Sequence, residues 1–332
     1  MNVKHNFDFS DKSDSLRVAG FQEAVISVSD FEKALWFYQN SYGWEIIHQG
    51  KVPKDLQPLW QLEDSIEIQE AVLRNPNTKS GYLRVLKFHG VEQQLIRSSA
   101  NTWDTGGIFD LNIRVQDMGT QYPEFERNGW NGYAKPHRYT FDIYDVSEVL
   151  MQGPDGIVFA GIQRFNPPLE GFEFDKVSRI FNSSLISKDL EASHDFYHNK
   201  LGFSLAFETA GDSRNEGPNV LGIPPNINGN VRVPIKIYKP DPNDYGSIEL
   251  LQLMDLEGED HAQHAHPPNL GILMLRFPVR SIRDYSEFIS NNGVEINTRA
   301  SNIRLEPYGQ VNIVTVRTTE GAWFEFVELL NH

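Results

Sequence analysis

Hydrophobic and polar positions alternate with strand period from Phe21 to Asp30, and the period then changes. Phe31, Ala34, Leu35 and Tyr38 fall at helical spacing. Asp30 stands where a helix N-cap belongs, its carboxylate placed to accept from the first free N–H groups. Gly43 stops the helix, and Trp44-Glu45-Ile46-Ile47-His48 alternates again as a strand. Further strands are predicted over 66–73, 81–88 and 92–96, divided by the Asn75-Pro76-Asn77 and His89-Gly90 turn signals. The order is β-α-β-β-β.

The same pattern returns. Asp30-Phe31-Glu32-Lys33-Ala34 with Phe37-Tyr38, Asn40 and Gly43-Trp44 is matched 159 residues later by Asp189-Leu190-Glu191-Ala192-Ser193 with Phe196-Tyr197, Asn199 and Gly202-Phe203. A register kept over fourteen positions without slip implies a duplicated unit. Between the copies, 108–115 reads as a strand, 122–128 as a short helix ending at Gly129, and strands run on through 157–163. A fourth unit begins at Gly271. Its Tyr285-Ser286-Glu287-Phe288 and Asn291 echo Tyr122-Pro123-Glu124-Phe125 and Asn128. The chain therefore reads A-B-A-B, with units at 20–100, 107–165, 178–255 and 270–330. The expected division is an arm at 1–19, an N-terminal domain at 20–165, a linker at 166–177 and a C-terminal domain at 178–332.

Composition narrows the function. A hydrophobic content of 39% suits real cores in a chain of 332 residues. The formal charge of −15 argues against nucleic acid, which needs a basic footprint. The absence of cysteine removes disulfides, thiolate catalysis and Cys-ligated metal centres. No run of eighteen apolar residues reads as a membrane span, and Met1 to Asp14 has no apolar leader core, so a cytoplasmic protein is expected. No glycine-rich phosphate loop or dinucleotide fingerprint lies in the right context, which argues against a nucleotide cofactor. The expected partner is a small molecule, for a monomer or homodimer.

Val28-Ser29-Asp30 with Phe37-Tyr38 and Gly43, Lys188-Asp189 with Phe196-Tyr197 and Leu201-Gly202-Phe203, and Gly153-Pro154-Asp155-Gly156 before a last strand together resemble the vicinal oxygen chelate superfamily. That superfamily includes glyoxalase I, extradiol dioxygenases and the fosfomycin- and bleomycin-resistance proteins. The resemblance covers nearly the whole chain beyond the first ~19 residues. It implies an α+β fold of four βαβββ units, forming two tandem glyoxalase-like domains whose curved mixed sheets enclose cavities. A fold of this kind hosts many reactions, so function must come from the site.

The resemblance also implies metal ligands at a first-strand position, seven residues before the helix-capping residue, and at a last-strand position. The first-strand positions are Glu23, Asp110, Asn182 and Met274. The last-strand positions are Glu92 (or Gln93), Ala160, Glu249 and Glu325. None is histidine, which argues against an extradiol dioxygenase, whose iron takes imidazole ligands. Glu23, Glu92 and Asp110 are expected in one N-terminal cavity. Three carboxylates there must hold a hard cation such as Mg²⁺, Mn²⁺ or Ca²⁺, pair with Lys or Arg, or keep protons. Arg114 and Arg138 are the cations expected beside Asp110, to neutralise it or to hold a substrate carboxylate. Two functional readings follow. One is a glyoxalase-like lyase or isomerase acting on a small oxygenated metabolite, aromatic or not, with Glu23, Asp110, Glu249 and Glu325 as the catalytic carboxyls. The other is a metal-free binding protein, like the resistance members of the superfamily. A third arrangement pairs Glu249 with Glu325 in the C-terminal half. His261, His264 and His266 cluster in a loop that reads as a connector, and residues 219–230 read as a turn-rich lid.

Overall fold

The computed structural model describes residues 7, 9, 14–98, 101–211 and 217–330. Unit one comprises β1 (Glu23–Ser27), α1 (Phe31–Asn40), β2 (Glu45–Lys51), β3 (Glu67–Arg74) and β4 (Tyr82–His89), with a tight helical turn over Lys54–Trp60. Unit two comprises β5 (Asp110–Val115), α2 (Met118–Arg127), β6 (Asn131–Gly132), β7 (His137–Phe141), β8 (Tyr144–Gln152) and β9 (Val158–Asn166). Unit three has β10 (Val177–Ile186), α3 (Leu190–His194), β11 (Ser204–Thr209), α4 (Pro225–Asn228), β12 (Ile235–Lys239) and β13 (Ser247–Leu251). Unit four has β14 (Gly271–Pro278), α5 (Ile282–Asn291), β15 (Thr298–Leu305), β16 (Gly309–Arg317) and β17 (Trp323–Leu329).

One local device starts the main helix of every unit. Asp30 accepts from Lys33 N, Asp117 from Gly119 N, Asp189 from Glu191 and Ala192 N, and Ser281 from Asp284 N. Each side chain satisfies a donor that the helix cannot, worth about 1 kcal/mol. The helix of unit two begins at Met118, four residues before the sequence pattern places it, and carries Pro123 inside.

The strands form two sheets. The first runs β15-β16-β17-β14-β1-β4-β3-β2, and the second runs β11-β12-β13-β10-β5-β9-β8-β6, with β7 beside β8. Unit one therefore shares a sheet with unit four, and unit two with unit three. The sequence alone does not say whether unit one pairs with unit two or with unit four, and the sheets join one with four and two with three. Each unit's first strand presents a free edge of the same kind, so backbone pairing alone selects no partner. The inward polar residues differ: Glu23 on β1 stands opposite Arg276 on β14, whereas Asp110 on β5 stands opposite Ser184 on β10.

One correction concerns 92–96. That segment makes a single bridge, Leu95 to Leu270, and is not a strand. The last strand of unit one is β4, and Arg84 lies at its inner ligand position, opposite Val25. Glu92 is exposed.

The helices join the outward sheet faces into one core. Phe37 of α1 stacks on Trp130 of unit two at 5.0 Å, and the Tyr285 hydroxyl of α5 donates to Leu201 O of unit three at 3.0 Å. Contacts of this kind lock one sheet to the other. Two glycines seal the seam. Gly81 O accepts from Ile180 N, and Gly246 O accepts from Phe21 N, each at 3.2 Å. Both have positive φ, and an added Cβ would stand 2.0 Å from Ile180 O or 2.4 Å from Phe21 N.

Candidate active site

The inner faces of the two sheets have different chemistry. On the first, Glu23 is fully buried and receives Arg84 Nε at 2.8 Å, Arg276 at 2.5 Å and the Tyr308 hydroxyl at 2.7 Å. Arg84 also donates to Glu70, and Arg276 to Glu325. Trp60 Nε1 donates to the other Glu325 oxygen at 2.7 Å, and His48 approaches Glu70 at 3.2 Å. Burial alone would raise the Glu23 pKa, but Arg84 and Arg276 hold it below the usual carboxylate range. Against the same burial penalty, Arg84 and His48 hold Glu70 down at about 2. Leu56, Leu59 and Trp60 pack into the same apolar cluster as Val25, Met274, Ile313 and Val327. The sheet's expected ligand positions thus carry Glu23, Arg84, Met274 and Glu325, and two guanidiniums stand where a cation would. These residues do not fit a metal. They form a structural charge network.

The second sheet differs. Asp110 on β5 and Glu249 on β13 are joined through two amides. Asn112 Nδ2 donates to Asp110 at 2.5 Å, Asn182 Nδ2 donates to Asn112 Oδ1 at 3.0 Å and to Glu249 at 2.8 Å, and Ser247 donates to Asn182 Oδ1 at 2.7 Å. Asp110, Asn112 and Asn182 are buried, while Glu249 is half-buried. Neither carboxylate has an ion-pair partner among the described residues. Burial pushes Asp110 up to about 7 against hydrogen bonds from Ser184, and the charge of Glu148 adds to the rise. Burial pushes Glu249 up to about 8, assisted by the charges of Asp110 and Glu148 and opposed by the Asn182 hydrogen bond. Leu221, Ile223, Val231 and Val233, from the turn-rich loop and the stretch after it, pack with Leu150, Ala160, Ile186 and Leu251 of the inner face. Dehydration of this face has the same cause as the raised pKa values.

The expected site residues are accordingly redistributed. Glu23 and Asp110 lie on different sheets, and Glu92 joins neither. Glu249 and Glu325 are also separated, which removes the C-terminal pair. The structure brings together Asp110 and Glu249. Arg138 is exposed, paired with Asp145 at 2.7 Å and lying over Phe165 at 4.0 Å, so it does not neutralise Asp110. Arg114 is turned over Phe181 at 4.2 Å. The cation whose charge reaches Asp110 is Arg97, buried and donating to Gly106 O and Asp104 O. In the histidine loop, His261 is buried 3.5 Å from Asp104 and His264 bonds Gln94, so the three do not converge. No group of three or more histidine and carboxylate side chains placed to hold a metal occurs among the described residues. Asp110, Asn182 and Glu249 do occupy three of this sheet's four expected ligand positions, with Ala160 at the fourth. Their oxygen donors fit a hard cation and not a thiophilic one.

Residues 177–326 match the family model of the Glyoxalase/Bleomycin resistance protein/Dioxygenase superfamily. Paired sheets built from βαβββ units with helices on their outward faces define a glyoxalase-like architecture. Solved structures share it over most of the chain. Glyoxalase I from Zea mays superposes with a TM-score of 0.61 at 15% identity, covering 93% of this chain and 92% of the maize one. A point mutant of the same enzyme gives 0.62 at 16% identity, with the same coverage. A candidate dioxygenase from Bacillus subtilis gives 0.60 at 13% identity, covering 95% of this chain and 86% of its own. No curated protein matches the sequence. The family match covers the C-terminal part of the chain, and the likeness of the whole chain to these structures is one of fold. No helix among the described residues is long and apolar enough to cross a membrane.

Proposed function

We propose that the inner face of the second sheet is the active site of a glyoxalase-like lyase or isomerase. Asp110 and Glu249 would there move one proton to and from a carbon beside a carbonyl of a small oxygenated metabolite. The observation that carries this reading is the pair itself: two carboxyls, linked through Asn112 and Asn182, held near neutrality without a counter-cation. Near pH 7.5 one is ionised and the other protonated. The ionised member can accept a C–H proton, and the protonated member can donate to the oxygen on which enolate charge develops. Glu249 keeps the greater exposure and is the carboxyl that a ligand meets first.

The oxygen donors of Asp110, Asn182 and Glu249 favour a second version of the same site. A hard divalent cation held there would supply Lewis-acid polarisation of substrate oxygens, while the protein residues bind and orient. In a third version the site only sequesters its ligand. Proton exchange separates chemistry from binding. Small hydroxyketones and 2-oxo acids that raise the melting temperature would be incubated with the protein in D2O and followed by NMR. The expected result is deuterium uptake at the carbon beside the carbonyl, slowed on the order of 100-fold in Asp110→Asn and Glu249→Gln. Ligands that bind the parent protein without any exchange would leave the sequestering version standing and remove the enzymatic one. Repeating the assay with and without chelator and Mg²⁺ or Mn²⁺ distinguishes the first two versions.

A further inference from the structure

Two guanidiniums on the second sheet share one recess. Arg114 of β5 and Arg164 of β9 line a 170 Å³ pocket whose other walls are Leu169, Glu170, Phe172, Phe181 and Tyr245. Neither arginine has an ion-pair partner among the described residues. Arg114 lies over the Phe181 ring at 4.2 Å, and Arg164 over Tyr144 at 4.7 Å. Arg164 Nε is buried without a hydrogen-bond partner. Burial and the charge of Arg164 push Arg114 down to about 10. Glu148, which also acts on Arg114 through space, has its carboxylate engaged by the Tyr139 hydroxyl, and Glu170 stands exposed at the rim.

Two neighbouring cations held in an aromatic recess repel each other and lose hydration. The chain's formal charge is −15, yet the carboxylates near them are Glu148, already engaged by Tyr139, and Glu170, exposed at the rim. An incoming anion relieves both costs. We propose that this pocket binds a small planar carboxylate of the aryl-carboxylate class. The carboxylate lies between the two guanidinium forks, and the ring lies against Phe181 and Tyr245. Planar forks match a carboxylate in two-point geometry. The remaining walls offer aromatic and aliphatic surface, which suits a ring better than a solvated phosphate. A volume well below the several hundred Å³ of a drug-sized site admits one ring. Arg114 lies four residues along β5 from Asp110, about 13 Å at strand rise. The pocket therefore lies farther along the same face of the strand, and its occupancy does not depend on the carboxyl pair being catalytic.

Benzoate is the probe, with benzamide and inorganic phosphate as comparators, titrated into the full chain by calorimetry. Saturable one-to-one benzoate binding is expected, with no binding of benzamide. The Kd should rise at least ~10-fold in Arg114→Gln and in Arg164→Gln and stay at the parent value in Arg138→Gln. Nuclear Overhauser contacts from the benzoate ring to Phe181 and Tyr245 in the parent protein test the same placement without any variant, should an arginine variant unfold. Phosphate competing as well as benzoate, or benzamide binding equally, would overturn the aryl-carboxylate class. Absence of saturable benzoate binding at millimolar concentration would overturn the site.

Discussion

Asparagine at position 110 should leave the protein about as stable as its parent at pH 4 and clearly more stable at pH 8. Asp110 has a folded pKa of about 7 against an ordinary value of 3.8. The folded chain therefore holds a proton that the unfolded chain releases above pH 3.8. Stability that Asp110 contributes is fully present below that pH and is lost as pH rises through 7. At about 1.4 kcal/mol per pH unit, the loss approaches ~4 kcal/mol by pH 8. Asparagine is nearly isosteric, and its oxygen can still accept from Asn112, so the substitution removes the titration and little else. Urea unfolding of both proteins at pH 4 to 8 with chelator gives the difference, because slopes from groups that do not sense Asp110 cancel and only Glu249, which does, adds a smaller change. The advantage of Asp110→Asn should grow steadily to pH 7 and then level. A difference that stays flat within ~0.5 kcal/mol would refute the reasoning, since Asp110 would then titrate alike in the folded and unfolded chains. A parent protein stabilised at pH 8 by Mg²⁺ or Mn²⁺, with a variant that is not, would favour the cation version of the site.

Other outcomes follow from the same physics. Glu23→Ala should cost about 3–5 kcal/mol in urea unfolding, because it strands two buried guanidiniums; a loss under ~1 kcal/mol would show that the network is not coupled. Glu70, held at about 2, contributes stability that is present above its ordinary 4.5 and is lost as pH falls through 2, and Glu70→Gln should flatten the acid limb of the stability profile. Asp30→Ala and Asp189→Ala should each lower stability by about 1 kcal/mol, since each side chain caps the main helix of its unit; a variant that unfolds at the parent urea midpoint would remove its cap from the account. Gly246→Ala, at φ +100 with Phe21 N 2.4 Å from the new Cβ, should lower the melting temperature and speed amide exchange around Phe21. Unchanged melting would mean that the seam yields.

Local signals were legible and nonlocal ones were not. Asp30, Asp117, Asp189 and Ser281 sit seven residues after Glu23, Asp110, Asn182 and Met274, and all four capping residues start helices. Glu92 was misplaced because 92–96 alternates like a strand, while β4 already ends at His89. Arg84 was the overlooked cue: a cation midway through the apolar run 81–88 must face a buried partner. The same holds for Arg276 within 271–278. Together they would have placed Glu23 and Glu325 on one face and separated them from Asp110 and Glu249. Asn182 was marked only by its register position, and Asn112 gave no signal, since a buried amide reads from sequence like any polar strand residue.

The pairing of unit one with unit four also sets the order of assembly. The Arg276–Glu23 bond joins residues 253 positions apart. At ~5–20 residues per second of synthesis, β1 waits roughly 10–50 s for β14 to emerge. The second sheet has all its strands once residue 251 has been made, while the first still lacks half. Folding is therefore nested, the middle of the chain closing before its ends. A chain that stops after β13 would carry a finished second sheet joined to a unit whose β1 edge stays open, an invitation to pair with a neighbouring copy. Lesions near the C-terminus should accordingly be felt first by the N-terminal unit and last by the Asp110–Glu249 site.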